Sequence, residues 1–149
     1  MKLNTFTAQL VKEAEREYNT AATGPDKVAA IAREALQLDS KLQEEFWTLF
    51  VNVKCEITGA AMISRGGMSS STAGAREVFR AAIISGAYAV ILIHNHPSGD
   101  ATPSAEDIST TKRLIAAGQI LGVQVLDHVI IGGAFSDTYY SMKDSGIIE

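Results

Sequence analysis

The chain has 149 residues, of which 46% are hydrophobic, and its formal net charge is −4. This length and apolar content predict one folded domain and exclude an intrinsically disordered chain. The acidic balance argues against a nonspecific nucleic-acid binder, and no apolar run approaches the roughly 20 residues of a membrane span. The first residues lack the apolar core of a signal peptide, and Cys55 has no partner for an intrachain disulfide. We therefore expect a cytoplasmic protein in which Cys55 is a small core residue.

Two helices are predicted first, over residues 5–18 and from Pro25 onward. The first places a short apolar stripe on one face, formed by Phe6, Leu10 and Ala14. Proline is tolerated at the first position of a helix, so Pro25 is typical of a helix start. The second helix has an apolar stripe formed by Val28, Ile31, Ala35 and Leu38.

A β-hairpin and a third helix follow. Residues 46–53 and 57–63 are rich in β-branched and aromatic side chains, which predicts two strands joined through residues 52–56. Residues 64–74 are dense in Gly and Ser and are typical of a loop. The next helix is predicted over residues 75–85, with Gly86 as its stop. Its inward face is formed by Val78, Phe79, Ala82 and Ile83.

The remaining chain alternates strand and helix. We predict a buried strand over residues 88–93, a helix over 104–121, a strand over 123–131 and a short last strand over 139–142. The helix face is formed by Ile108, Thr111, Ile115 and Gly118, and Gly122 ends the helix. This order predicts an α/β fold. The first two helices form a predicted N-terminal helical extension of residues 1–41 on a core domain of residues 42–149.

His94 and His96 lie at the mouth of the buried strand. Side chains two apart on an extended segment point the same way, so two such imidazoles can hold one metal ion from one side. Asp107 can supply a carboxylate oxygen if the loop folds back. Three protein ligands leave a fourth position open, which distinguishes a catalytic zinc site from a structural one.

Several of these residues also have a structural explanation. Ser104 and Asp107 have the spacing of a capping box, in which the Ser caps the helix and the acid reaches back to it. Ser104 can cap the helix and still face the site. Asp100 follows Gly99 in a turn and is interpreted as a loop former. His128 lies within a strand pattern, which favours a structural or supporting role.

A zinc hydrolase also needs a general base, because a water molecule must give up a proton. The upstream candidates are Glu44, Glu45 and Glu56, which lie at predicted strand edges. Each of them is also explained as a solvated charge at the edge of a strand.

The spacing from His94 and His96 to Ser104 and Asp107 resembles the JAMM motif of the JAB/MPN metalloprotease superfamily. The fuller run from His94 to Asp100, followed by Thr102-Pro103-Ser104, resembles the RadC family within it. Matching flanks are Ser64-Arg65-Gly66, residues 76–80, Leu121-Gly122 and residues 126–130, so the resemblance covers residues 42–148. The chain lacks the His-x-His-x-Asp-His pattern of metallo-β-lactamases and the Pro-Cys-x-x-Cys pattern of zinc deaminases.

The resemblance implies a JAB/MPN-like (cytidine-deaminase-like) fold, with a mixed sheet flanked by helices. It implies a Zn²⁺ ion held by His94, His96 and Asp107, with water as the fourth ligand. Ser104 would then steady the water or the oxyanion. The resemblance also implies a glutamate from the first core strand that acts through the bound water, and Glu44 matches its register best. Glu45 is second, because a one-residue slip turns its side chain to the other face of the strand.

The function that the resemblance implies is a zinc metallopeptidase that cleaves a peptide or isopeptide bond in a protein or peptide substrate. The alternative is a JAB-fold binding or regulatory module, associated with DNA repair or with phage and mobile elements, without efficient peptidase activity. Longer RadC proteins carry an N-terminal helix-hairpin-helix-like region that we do not find here, which disfavours nucleic acid as a partner. A local basic patch would favour it, and its candidates are Arg65, Arg76, Arg80, Lys112 and Arg113. No residue identifies an oligomer.

Overall fold

The computed structural model describes residues 1–18, 24–66, 74–133 and 135–149. In chain order, its elements are α1 (Pro25–Glu34), a short 3-10 helix (Leu38–Ser40), β1 (Glu45–Val51), β2 (Ile57–Arg65), α2 (Ala75–Ile84), β3 (Ala89–His96), α3 (Ala105–Leu121), β4 (Gln124–Gly132) and β5 (Tyr139–Ser141). Most of the predicted loop over residues 64–74 lies outside the described residues. Among these described residues, none of the helices has both the length and the apolar character of a membrane span.

The strands form one five-stranded mixed sheet in the order β2-β1-β3-β4-β5. Strand β1 pairs antiparallel with β2 and with β3, β3 pairs parallel with β4, and β4 pairs antiparallel with β5. The parallel pair is connected through α3, as a crossover requires. The predicted mixed α/β architecture is therefore confirmed, with β3 at the centre of the sheet.

Each face of the sheet is covered by a separate apolar core. Helices α2 and α3 pack on one face, where Val90 and Leu92 of β3 meet Phe46, Phe79 and Leu114. Helix α1 packs on the other face, and the predicted stripe of Val28, Ile31, Ala35 and Leu38 is buried there. The helix is shorter than predicted, because α1 ends at Glu34 and Leu38 lies in the 3-10 helix. The division between residues 1–41 and 42–149 stays a prediction.

The predicted helix over residues 5–18 is wrong, because residues 1–18 have no regular secondary structure. Phe6 is 90% exposed, so its apolar stripe has no surface to cover. A short amphipathic helix without such a surface is marginal in water. Cys55 is also not a core residue: it is exposed, and it lies in the turn between β1 and β2 with a φ of 61°.

The burial of one residue and the boundary of one strand also differ from the prediction. On α2, Val78, Phe79 and Ala82 are buried as expected, whereas Ile83 is 54% exposed. Strand β3 runs on through His96, so both histidines belong to the strand itself and do not follow it. This extension matters because it fixes the direction of both imidazoles.

Candidate metal centre

Strand β3 presents His94 and His96 from the face of the sheet that α3 covers. His94 is opposite Phe46 of β1 and is paired with Ile130 of β4, so it has a strand on each side. It is fully buried, and the ring of Phe46 stacks on its imidazole with the centroids 6.0 Å apart. The side chain of His96 is 14% exposed. The pair therefore leads from the core to the surface.

Helix α3 supplies the carboxylate through its first turn. Ser104 caps the helix: its Oγ accepts a hydrogen bond from the Asp107 backbone N–H at 3.0 Å, and its own N–H donates to Asp107 Oδ2 at 2.8 Å. The predicted capping box is confirmed. It fixes the Asp107 side chain against the helix N-terminus, where a negative charge is favoured.

The three side chains converge on one point. His94 Nε2 and His96 Nε2 are 2.9 Å apart. Asp107 Oδ1 is 3.4 Å from the first of these atoms, and Oδ2 is 3.2 Å from the second. One ligand atom from each residue lies within 4.8 Å of the others, so this group could hold a metal ion. The structure thus brings together the three residues that the sequence singled out.

The protonation of His96 can be inferred from its outer nitrogen. His96 Nδ1 lies 2.8 Å from the carbonyl oxygen of Asp100. A carbonyl only accepts, so Nδ1 carries the proton, and Nε2 of the neutral ring presents its lone pair to the site. The Asp100 carboxylate accepts from the Thr102 N–H at 2.9 Å, which agrees with the prediction that Asp100 is a loop former.

Charge favours a cation at this point. Burial opposes ionisation of Asp107, but its contacts with His94 and His96 outweigh burial and hold the pKa of its carboxyl well below its usual range. The contact with Asp107 raises the pKa of His96 against the effect of burial, with smaller contributions from the Asp100 carbonyl and the charge of Glu44. Two facing imidazole nitrogens and a carboxylate are donor types that bind divalent transition metals. The donor set therefore fits such an ion.

Glu44 lies beside this group. The register that pairs Phe46 with His94 places Glu44 opposite His96 when it is continued by two residues. The side chain of Asn95 holds this segment, because it accepts from Glu45 N–H at 2.7 Å and donates to the Gln43 carbonyl at 3.1 Å. The charge of Glu44 contributes to the raised pKa of His96, which agrees with this position.

The two other acidic candidates lie elsewhere. Glu45 is buried, and its carboxylate accepts from Trp47 Nε1 at 2.9 Å and from Arg65 Nε at 3.2 Å. Residues 45 and 44 point to opposite faces of the strand, so Glu45 turns away from the histidines. Glu56 is exposed in the hairpin turn at the far end of β1, where it bonds to Asn52.

Sequence reasoning missed the residues that support the site. Gly133 donates its N–H to the His96 carbonyl at 2.8 Å, and a Cβ at this glycine would lie 2.9 Å from Pro97 Cα. Only glycine allows this close approach of two backbones. Asn95 and Thr111 are fully buried polar residues, and their partners lie on other elements. A polar side chain within a strand buried on both faces was the available signal for Asn95.

Comparison with known proteins gives a consistent family. The model of the RadC-like JAB domain matches residues 22–147. The chain is 49% identical over 128 residues to a UPF0758 protein of Caldanaerobacter subterraneus, covering 86% of this chain and 53% of that protein. It is 37% identical over 147 residues to a UPF0758 protein of Methanosarcina acetivorans, covering 99% of this chain and 58% of that protein. The chain thus spans about half the length of these curated relatives. It belongs to the RadC-like JAB domain family.

Proposed function

We propose that this chain is a zinc-dependent hydrolase of the JAMM type that cleaves a peptide or isopeptide bond. The observation that carries the proposal is the convergence of His94 Nε2, His96 Nε2 and the Asp107 carboxylate. These three groups would hold the ion and leave a coordination position open, as in catalytic zinc sites. Membership of a JAB-domain family supports the same chemistry.

The ion and the protein have separate tasks in this proposal. Zinc held there would polarise the scissile carbonyl and lower the pKa of a water molecule towards ~7. Glu44 is proposed as the general base because it lies opposite His96 in the continued register. Its carboxylate accepts the proton of the attacking water and passes it to the leaving amine. A positioned base of this kind contributes about 10²–10⁴-fold to the rate.

Ser104 is proposed to stabilise the oxyanion. Its Oγ accepts from the Asp107 N–H, so the hydroxyl hydrogen is still available to donate. A donor aimed at the oxygen on which negative charge develops is worth about 10²-fold or more. Capping and catalysis are compatible here, since they use different atoms of one hydroxyl group.

The alternative function, a binding or regulatory module without efficient peptidase activity, makes a different prediction for the same residues. A scaffold has no use for two histidines and an aspartate that converge on one point. The chain spans about half the length of these relatives, so we propose a substrate class for this domain and not for a whole relative. Metal content and turnover separate the two functions.

The first experiment measures the zinc content of the purified wild type beside His96→Ala. The proposal expects about one zinc per chain in the wild type and its loss in the variant. Zinc-loaded protein is then screened against fluorogenic peptides and isopeptide-linked lysines. Hydrolysis that is removed by a chelator and restored by added zinc supports the proposal.

Glu44→Gln and Glu45→Gln form a matched pair for the assignment of the base. We expect Glu44→Gln to lose about 10²–10⁴-fold in rate with full zinc content, because it removes only the proton acceptor. Glu45→Gln should stay close to the wild type in rate, since that carboxylate bonds to Trp47 and Arg65. Full turnover by Glu44→Gln would refute the assignment, and a wild type that binds no zinc would refute the hydrolase.

A further inference from the structure

A buried chain of hydrogen bonds leads away from the outer nitrogen of His94. His94 Nδ1 lies 2.7 Å from His128 Nε2, and His128 Nδ1 lies 2.6 Å from Thr111 Oγ1. The Thr111 hydroxyl in turn donates to the Asp107 backbone carbonyl at 2.7 Å. All four residues are buried. These hydrogen bonds therefore join β3, β4 and α3 out of contact with water.

The last acceptor in this series of hydrogen bonds, the Asp107 carbonyl, determines which atom donates at each step. The Asp107 carbonyl only accepts, so Thr111 uses its single hydroxyl hydrogen there. Thr111 Oγ1 must then accept from His128, which puts the proton of His128 on Nδ1. His128 is completely buried, and its two ring nitrogens face His94 and Thr111, neither of which is acidic. A buried charge without an opposite charge beside it is unfavourable, so this ring is neutral and its Nε2 is an acceptor.

The same step repeats at His94. An acceptor at His128 Nε2 requires a donor at His94 Nδ1, so the proton of His94 lies on its outer nitrogen. The lone pair of His94 Nε2 then points to His96 and Asp107. In the opposite arrangement, Nε2 of His94 would carry a proton and could not bind a metal ion. A ring nitrogen is set as donor or ligand by the hydrogen bond at the other one.

We propose that His128 and Thr111 are positioning residues that fix His94 as its Nδ1–H tautomer and so make Nε2 available as a metal ligand. This inference rests on the proposed function, in which His94 is a zinc ligand. The chain ends on the backbone of Asp107, the other buried ligand, so one set of hydrogen bonds orients ligands on two different elements. Phe46 supports it, since its ring stacks on His94 and meets His128 edge-on at 5.4 Å.

The test compares Thr111→Val with Thr111→Ser. Valine has nearly the shape of threonine without the hydroxyl, whereas serine keeps the hydroxyl. Two-bond ¹H–¹⁵N spectra of the metal-free protein at pH 8 report the tautomer of each histidine ring. We expect Nδ1–H at His94 and His128 in the wild type and in Thr111→Ser. Thr111→Val should shift both rings towards Nε2–H, because His128 Nδ1 has lost its acceptor.

Zinc affinity, measured by competition with a chromophoric chelator, is the second readout. We expect Thr111→Val to weaken zinc binding by about 10–100-fold, and Thr111→Ser to restore it to within about threefold of the wild type. Thermal unfolding shows whether each variant is folded. If Thr111→Val does not fold, His128→Gln interrupts the same series of hydrogen bonds in its place. Loss of affinity with the predicted tautomer shift supports the inference.

The inference and the proposed function fail differently. Nε2–H at His94 in the metal-free wild type would overturn the inference, as would unchanged tautomers and affinity in Thr111→Val. A wild type that binds no zinc overturns the hydrolase, while the tautomers of the metal-free variants still decide the inference. A wild type that binds zinc but cleaves no substrate leaves the inference supported and removes only the catalytic proposal.

Discussion

Replacement of Asn95 by alanine should destabilise the protein and displace Glu44 while leaving the metal ligands in place. Asn95 is fully buried and bonds to the Glu45 N–H and the Gln43 carbonyl. An unpaired N–H at buried Glu45 costs about 1–3 kcal/mol, and loss of the bond to exposed Gln43, where water can substitute, costs about 1 kcal/mol. The free energy of unfolding should therefore fall by about 2–4 kcal/mol.

This loss corresponds to a decrease in Tm of roughly 5–15 °C for a domain of this size. Urea denaturation of Asn95→Ala beside the wild type measures the loss in free energy of unfolding. Zinc affinity should change by less than about threefold, because His94 and His96 project from the other face of β3. Hydrolysis should fall, since the segment that carries Glu44 is no longer held.

Thr48→Val is the matched control for this experiment. Thr48 is equally buried on the neighbouring strand β1, but within the part of the chain that the structure describes its hydroxyl has no hydrogen-bond partner. Its removal should be neutral or stabilising, because no bond is lost. Unchanged stability in Asn95→Ala, or zinc loss as severe as in His96→Ala, would refute the role we give to Asn95.

Three further predictions concern other parts of the site and fold. Ser104→Ala should lower the free energy of unfolding by about 1 kcal/mol through loss of the cap, and an unchanged denaturation midpoint would contradict the capping box at Asp107. Zinc affinity should rise with pH until the raised pKa of His96 is passed, because zinc must displace a proton there; titration calorimetry that shows a constant affinity between about pH 6 and pH 8 would contradict this. Gly118→Ala should destabilise by about 2 kcal/mol or more, because its Cβ would lie 2.3 Å from the Val123 carbonyl oxygen; a wild-type melting curve would contradict this close approach.

The elements that sequence predicted well are those whose signals are local. Ser104 caps α3 and Gly122 ends it with a φ of 72°, and both follow from the residue at that position. The apolar run of β3 predicts a buried strand in the same way. The amphipathic pattern over residues 5–18 is also local, but the helix it predicts needs a surface to pack on, and the structure gives it none.

The metal centre is predictable because its signals are also local, whereas the residues that support it are not. The spacing of His94 and His96 on an extended segment, with Asp107 in a first helical turn, is visible in the sequence. The partners of Asn95 and Thr111 lie 50 and 17 residues away along the chain, so their roles exist only once β1, β3, β4 and α3 are assembled. The strand pattern favours a structural or supporting role for His128, but a single strand pattern does not identify its partner.

The two faces of β3 therefore support two different parts of the proposed chemistry. On the α3 face, His128 and Thr111 orient His94 and so act on metal affinity. On the α1 face, Asn95 holds the segment before β1 and so acts on the position of Glu44. Because side chains alternate along a strand, neighbouring residues of β3 can support these two parts of the site without contact between them. Thr111→Val should then weaken zinc binding without moving Glu44, whereas Asn95→Ala should move Glu44 without weakening zinc binding, and the double variant should show the sum of both effects.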